Sequence, residues 1–197
     1  MKLVLASRNR HKIDEIKRVL SDSGINNVEI LSLDDIGYLG EIEENGTTFE
    51  ENALIKARFA AQSGYIGIGD DSGLCVEALG GEPGIYSARY AGEDATDADR
   101  CSKVLSELEG VDISMRSARF ACALYCIIDD DTEYSVLGTM NGFIGTEPMG
   151  ENGFGYDPIF MIDEETSVAM ISDEEKNKIS HRAEAMRKLA EVLKANA

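Results

Sequence analysis

The run Tyr65–Ile68, ending in Gly69-Asp70-Asp71-Ser72-Gly73, constrains this chain more than any other stretch. An apolar segment that empties into two adjacent carboxylates, a small hydroxyl and a turn glycine reads as a strand presenting acids at its carboxyl end. In α/β sheets that is the edge where ligands collect. A short second apolar run, Leu74–Leu79, leads to Gly80-Gly81-Glu82-Pro83-Gly84, too rich in Gly and Pro for helix or regular strand. Arg89 closes the segment as a cation within reach of whatever the acids hold. A surface turn with solvated acids would also use these residues, so the neighbouring elements must decide.

Those elements alternate. Lys2–Ala6 is a short apolar strand, and Ser7-Arg8-Asn9-Arg10-His11-Lys12 is the loop leaving it. A helix over His11–Ser21 places Ile13, Ile16, Val19 and Leu20 at helical spacing. Strand, loop and helix in that order bring backbone N–H groups and a positive helix end to the loop, an anion site. It is not a P-loop, because the glycines of that motif are missing. Val28–Leu33 is a second strand, followed by the acidic turn Glu41–Gly46. Thr47 with Glu50, or Thr48 with Glu51, offers a capping box for a helix to Gln62. That helix carries Lys56 and is expected to bury Phe49, Ala53, Leu54, Ala57 and Ala61. Thr96 caps a helix to Leu108, and Ala118–Ile128 and Glu133–Ile144 form a hairpin around Asp129–Thr132. A glycine-rich loop, Met149–Phe160, a short helical turn capped by Ser172 and Glu175, and a final helix with Ala183, Met186, Ala190 and Leu193 complete the chain. The expected architecture is α/β, a mixed β-sheet flanked by helices, with the hairpin in a second lobe of one domain spanning 1–197.

Charge narrows the partners. The 37 acids against 19 Lys and Arg give a net charge of −18, a field that opposes nucleic acid and anionic membrane. No apolar run approaches a membrane span, and the apolar start is too short for a signal sequence, so the cytoplasm is expected. Cys75, Cys101, Cys122 and Cys126 show no metal-like spacing; Cys122 and Cys126 share one face of an alternating segment and read as packing thiols. Against the acidic background, the basic positions gather at Ser7–Lys12, Lys56–Arg58, Arg89 and Lys176–Arg182. Basic spots around paired carboxylates suit a small polyanion carried with a metal ion.

Singly these motifs have plain readings: a helix start at Ser7–Lys12, a solvated turn at Glu43 and Glu44, an exposed helix at Lys176, a packing histidine at His181, core aromatics at Phe154 and Tyr156. Together they supply carboxylates, cations, a helix-end anion site and flat stacking groups, the parts a nucleoside-triphosphate site requires. The chain resembles the inosine/xanthosine triphosphate pyrophosphatases, the Ham1 family, nearly end to end. The resemblance rests on Ser7-x-Asn9-x-x-Lys12, the Glu43–Glu44 turn, Phe49-x-Glu51-Asn52-Ala53-x-x-Lys56-Ala57 and Asp70-Asp71-Ser72-Gly73-Leu74. It continues through Gly80–Tyr90, Phe154-Gly155-Tyr156-Asp157-Pro158 and Ser180-His181-Arg182. One departure is Arg8, where the family commonly has glycine; it replaces close backbone approach with an additional cation.

The resemblance implies an elongated α/β fold with two lobes and a central cleft, usually a homodimer. It also implies Mg²⁺-dependent hydrolysis of ITP, dITP and XTP to the monophosphate and pyrophosphate. Asp71 would be the proton acceptor and, with Glu43 or Glu44, a metal ligand. Ser7, Arg8, Asn9, Arg10, His11, Lys12, Lys56 and Ser72 would serve the phosphates. Phe154, Gly155, Tyr156 and Asp157, with Lys176, His181 and Arg182, would serve the base, either ring stacking on it. Two alternatives are a Maf-like pyrophosphatase for modified nucleotides, against which Phe154–Asp157 and Ser180–Arg182 speak, and a nucleotide-binding protein without turnover, against which Asp71 and Lys12 speak.

Overall fold

Strand β1 (Lys2–Leu5) pairs in parallel with β2 (Glu29–Leu31) and with β3 (Ile66–Val76), Leu3 lying opposite both Ile30 and Ile66. Parallel neighbours need long crossovers, and α1 (Arg10–Asp22) and α2 (Phe49–Ala61) lie in them. β4 (Ser117–Asp129) and β5 (Thr132–Ile144) are joined by the two-residue turn Asp130–Asp131, a connection available only to antiparallel strands. The short β6 (Phe160–Met161) pairs antiparallel with β5. The strand order β2-β1-β3-β4-β5-β6 makes this one mixed sheet, in the computed structural model, which describes residues 1–195. The last two residues of the expected 1–197 domain lie outside the described residues. The chain divides into two compact units, one of residues 1–71, 122–138 and 181 onward, the other of residues 72–121 and 139–180.

In the first unit the sequence alternation is used on both faces of the sheet. Leu3, Leu5 and Ile68 enter a core with Ile13, Ile16 and Leu20 of α1 and with Met186, Leu189 and Leu193 of α5 (His181–Ala195). The stripe Ala183, Met186, Ala190 and Leu193 is buried as its spacing predicts. Val4 and Ala6, on the opposite face, join a smaller cluster with Leu33 and Ala60. β3 obeys the same period of two: Ile66 and Ile68 face the larger core, while Gly67 and Gly69 face α2. The helix backbone sits directly on those glycines, since a Cβ at Gly67 would lie 2.4 Å from the Ala57 carbonyl and one at Gly69 1.9 Å from that of Ala53. Gly69→Ala is therefore expected to destabilise the protein by ~3 kcal/mol or more, the upper end for overpacking. Chemical denaturation checks this, and an unchanged midpoint would show that α2 can move away freely.

Two expectations are corrected here. Asp70-Asp71-Ser72-Gly73 is not a turn; β3 runs through it to Val76. The alternation of Ile66-Gly67-Ile68-Gly69 continues into the acids, and a strand with closely approached neighbours tolerates the glycines that read as a turn. The buried face of α2 is also rotated from its apolar stripe: Asn52, Ala53, Lys56, Ala57 and Ala60 are buried, whereas Phe49, Leu54 and Ala61 are only partly so. Thr48 is the N-cap, accepting from the Glu51 amide at 3.1 Å, while the Glu51 carboxylate accepts from the Thr47 amide and hydroxyl at 2.6 and 2.9 Å.

The second unit packs Leu74, Val76, Phe120, Ile144 and Phe160 from the strands against Cys101, Val104 and Leu108 of the α3 region (α3, Asp97–Glu107). Thr96 and Asp99 form the capping box at the head of α3, and Ser172 and Glu175 form one at the head of α4 (Asp173–Ile179). The Gly-Pro segment is bracketed by 3-10 turns at Glu77–Leu79 and Gly84–Arg89. All four cysteines are free.

Candidate active site

The acids of β3 emerge where β1 stops. Leu5 is registered with Ile68, and beyond it only the Ala6 amide reaches the Ile68 carbonyl, at 2.8 Å. The carboxyl edge at which ligands gather is thus set by the end of β1 and not by the end of β3. Consecutive strand residues point to opposite faces, so Asp70 and Asp71 enter different surroundings although they are adjacent in sequence.

Asp70, 1% exposed, faces α1 and α5. Its Oδ1 accepts from Lys12 Nζ at 2.5 Å and its Oδ2 from Arg182 Nε at 2.7 Å. Arg182 donates through a second nitrogen to Glu15 of α1 at 2.6 Å, and the Cys122 thiol lies 3.6 Å from Asp70 Oδ2. Burial works to raise the Asp70 pKa, but the Arg182 guanidinium and Lys12 ammonium hold it far below the usual carboxylate range. Burial, with the Asp70 charge, pushes the Cys122 thiol well up, which keeps it protonated and unreactive.

Asp71 faces α2. Its Oδ1 accepts from Lys56 Nζ at 2.8 Å, and Asn52 Nδ2 lies 3.4 Å from its Oδ2. Lys56 also donates to Glu44 at 3.0 Å. Asn52 and Lys56 are four residues apart and so share a helix face; the glycines of β3 let that face come close. Asn52 further accepts from the Gly46 amide at 2.8 Å, tying the acidic turn to the helix. Burial raises the Asp71 pKa above its ordinary value; Lys56 opposes the shift and Glu44 adds to it. Burial acts to lower the Lys56 pKa, yet Asp71 and Glu44 carry it above normal, so the ammonium stays charged. Of the two turn acids, Glu44 is the one brought to Asp71, and Glu43 is exposed. Among the described residues no three His, Cys, Asp or Glu side chains form a metal-ligand cluster.

The amino-terminal loop is held by its own hydrogen bonds. Ser7 Oγ accepts from the Asn9 amide at 3.1 Å, and Asn9 caps α1 by accepting from the His11 and Lys12 amides at 3.0 and 3.4 Å. Arg8 donates to Asp34 at 3.0 Å and to the Tyr38 and Gly40 carbonyls at 2.8 and 2.7 Å. Its guanidinium clamps the 34–40 segment, where an additional phosphate cation was expected. Arg10 and His11 lie exposed on the first turn of α1, and Ser72 is half-buried after Asp71. Arg182, expected at a base edge, has its guanidinium buried, 2% exposed, against Asp70 and Glu15. His181 begins α5 and is buried.

The second unit holds the aromatic loop. Asp157, itself buried, accepts from Lys176 Nζ at 2.6 Å and from the Phe154 amide at 2.9 Å. The Lys176 ammonium lies 4.3 Å from the centroid of the half-buried Phe154 ring. Gly153 is required here: its φ is +75°, and a Cβ would come within 2.1 Å of the Asp157 carboxylate. The Gly155 amide donates to Asp97 at 2.7 Å. Of the two rings that could stack, Tyr156 is the buried one. It is 4% exposed and donates to the Ser87 carbonyl at 2.8 Å, joining the two glycine-rich loops. A cation, a carboxylate and a half-buried ring thus lie together at Phe154.

The sequence reading assigned no role to Asn52, although it lies in the Phe49–Ala57 motif, nor to Glu15 or the contact from Cys122. Asn52 four residues before Lys56 and Glu15 three after Lys12 were detectable by helical spacing; the Cys122 contact depends on strand pairing and had no local signal.

The Ham1 family model matches residues 3–192. A dITP/XTP pyrophosphatase of Bacillus licheniformis is 51% identical over 193 residues, 97% of each chain, and one of Bacillus subtilis is 47% identical over 98% of this chain and 96% of its own. The structure of a HAM1 protein from Coxiella burnetii superposes with a TM-score of 0.88 at 42% identity, covering 99% of both chains. The matches run through both units and through every segment that carries the charged networks, and on that ground this chain belongs to the Ham1 family.

Proposed function

We propose that the protein hydrolyses deaminated purine nucleoside triphosphates, dITP, XTP and ITP, to the monophosphate and pyrophosphate, and so clears them from the nucleotide pool. The observation that carries this reading is the division of labour between Asp70 and Asp71. One is a fixed anion between Lys12 and Arg182, and the other meets Lys56 on the α2 side beside Glu44, where a carboxylate can serve as general base. Lys12 and Lys56 would neutralise phosphate charge, the main demand of phosphoryl transfer. Lys176 would donate to a 6-keto oxygen, Asp157 hold that lysine, and Phe154 stack on the ring. ATP, with an amino group at that position, would leave the donor unpaired, which can discriminate by orders of magnitude.

Asp71 and Glu44 fit Mg²⁺, because both reach the same Lys56 ammonium and supply the one or two hard oxygen ligands that the ion takes from protein. Bound there, the ion would supply charge neutralisation and activation of water. Asp71 would accept the proton of the attacking water, and Lys56 would move its hydrogen bonds from the carboxylates to phosphate. Homodimer formation and a cytoplasmic location complete the proposal; no helix among the described residues is long and apolar enough to cross a membrane.

The test is pyrophosphate release across ITP, XTP, dITP, GTP, ATP and Maf-type substrates. Turnover of the first three is expected, at least ~100-fold above ATP in kcat/KM, and to vanish in excess EDTA and return with Mg²⁺. A preference for modified pyrimidine triphosphates, or binding of ITP without turnover, would overturn the substrate assignment or the enzymatic one.

A further inference from the structure

In the second unit, Phe154 stands between two glycines, and both are in the left-handed region: φ is +75° at Gly153 and +64° at Gly155. Glycine has the widest backbone freedom of any residue, so the chain on either side leaves the direction of the ring open. It is fixed from outside. The Asp157 carboxylate accepts from the Phe154 amide at 2.9 Å. Both polar groups of the next residue are held by α3: Asp97 Oδ2 accepts from the Gly155 amide at 2.7 Å, and the Cys101 thiol donates to the Gly155 carbonyl at 3.4 Å. Burial pushes that thiol up to about 12, so it stays protonated and remains a donor. Asp97 and Cys101 are four residues apart and share a helix face. The helix is a firm support, closed at its head by the Thr96–Asp99 capping box and anchored in the core through Cys101 and Val104.

We propose that Asp97 is a positioning residue for Phe154, holding the Gly155 peptide so that the ring stays where a purine base can stack on it. The stacking role of Phe154 belongs to the pyrophosphatase reading, and the proposal rests on that reading. An acid in the first turn of a helix favours the helix by itself, and Asp97 also pairs with Arg100. Neither role uses the oxygen that meets Gly155: Arg100 takes Oδ1, and the Gly155 amide takes Oδ2. The Arg100 guanidinium is itself fixed by the Ala88 and Ala95 carbonyls, at 3.0 and 2.6 Å, and so sets the orientation of the carboxylate. Two acids thus divide the loop. Asp157 holds the Phe154 amide and the Lys176 ammonium beside the ring, and Asp97 holds the peptide that follows. Loss of Asp97 should be felt by the base and not by phosphate, because the candidate phosphate cations, Lys12 and Lys56, stand on α1 and α2.

The experiment compares Asp97→Ala with the unaltered protein in binding two probes by calorimetry: inosine monophosphate, which carries the base, and inorganic pyrophosphate with Mg²⁺, which has none. Affinity for inosine monophosphate is expected to fall ~10-fold, the size of one lost hydrogen bond to a charged group, with pyrophosphate affinity unchanged. In turnover, KM for ITP should rise with little change in kcat. Deuterium exchange of the Gly155 amide should quicken in the same variant. Asp97→Asn, whose side-chain oxygen can still accept from Gly155, should restore the affinity and the slow exchange. Asp99→Ala removes the capping box and not the Gly155 contact, so it should cost stability and leave inosine monophosphate affinity alone. Unchanged inosine monophosphate affinity in folded Asp97→Ala protein, equal losses for the two probes, or the same loss in Asp99→Ala overturns the proposal and leaves Asp97 a structural residue of α3. If Asp97→Ala does not fold, Asp97→Ser takes its place, its shorter side chain ending before the Gly155 amide, and the same outcomes decide. Unaltered protein that binds inosine monophosphate but turns over no triphosphate would sink the pyrophosphatase reading and leave this binding comparison intact. Unaltered protein that binds no inosine monophosphate would remove the base from Phe154, and the proposal with it.

Discussion

Asp71→Asn is expected to lower turnover of ITP by at least ~100-fold, the low end for removing a general base. The substitution preserves size and hydrogen-bonding shape while deleting the negative charge and the basicity. Stability should be maintained or rise. The folded-state pKa of Asp71 is raised, chiefly by burial and by Glu44 against the opposing Lys56. Its favourable contribution is therefore present below the ordinary aspartate pKa of about 4 and is lost as pH rises through the raised value. At neutral pH the ionised side chain is thus a net liability to folding, from which asparagine is exempt. Turnover, nucleotide affinity at saturating Mg²⁺ and thermal denaturation separate these effects; near-normal turnover in folded Asp71→Asn protein would remove Asp71 from the chemistry.

Asp70→Asn should produce the opposite pattern. It leaves Arg182 and Lys12 facing a neutral amide in a fully buried position, and breaking a buried ion pair by removing one partner is worth about 3–5 kcal/mol. Here the folded-state pKa is depressed, by Arg182 first among the charges and then Lys12. The stabilisation is fully present above the ordinary pKa near 4 and is lost only as pH falls through the depressed value. The deficit of the variant should accordingly be complete at neutral pH and shrink in strong acid. Denaturant titrations at several pH values check this, and a variant as stable as the parent at pH 7 would contradict the geometry. Turnover of the folded fraction should fall less than in Asp71→Asn, and mainly through substrate affinity. Should Asp70→Asn abolish turnover while Asp71→Asn keeps most of it, the two roles are reversed.

Most helices were legible because their caps and apolar spacing are local signals: Thr96 with Asp99, Ser172 with Glu175, and the stripe of α5. Asp71 and Lys56 were marked in the sequence by an apolar run ending in two acids and by a basic position on an acidic background, and the structure pairs them at 2.8 Å. The course of β3 was not. Gly73 after two acids and a serine has the composition of a turn, and only pairing with neighbouring strands keeps such a segment extended. The ion pairs of Arg182 were hidden for a related reason. Its partners Asp70 and Glu15 lie 112 and 167 residues away in sequence, and no local pattern announces a buried ion series. Tyr156 fell into the core because its hydroxyl has a carbonyl to meet at Ser87, a long-range contact that its neighbours in the loop do not reveal.

The alternation of β3 also fixes the length of the chain at this point. Isoleucines and Asp70 belong to one side, glycines and Asp71 to the other. Deletion or insertion of a single residue between Ile66 and Asp70 would shift one part of the strand against the other by one place. If the acids kept their positions, an isoleucine would be driven into the backbone of α2 where no Cβ fits. If the isoleucines kept theirs, Asp70 would be turned toward α2 and the Lys12–Arg182 pair would receive the wrong carboxylate or none. Neither frame is viable, whereas the turn at Asp130–Asp131 imposes no such two-sided demand. Codon-length changes should therefore be rejected in this strand even where single exchanges on its outer reaches are accepted, and lineages descending from such a sequence would vary in length elsewhere.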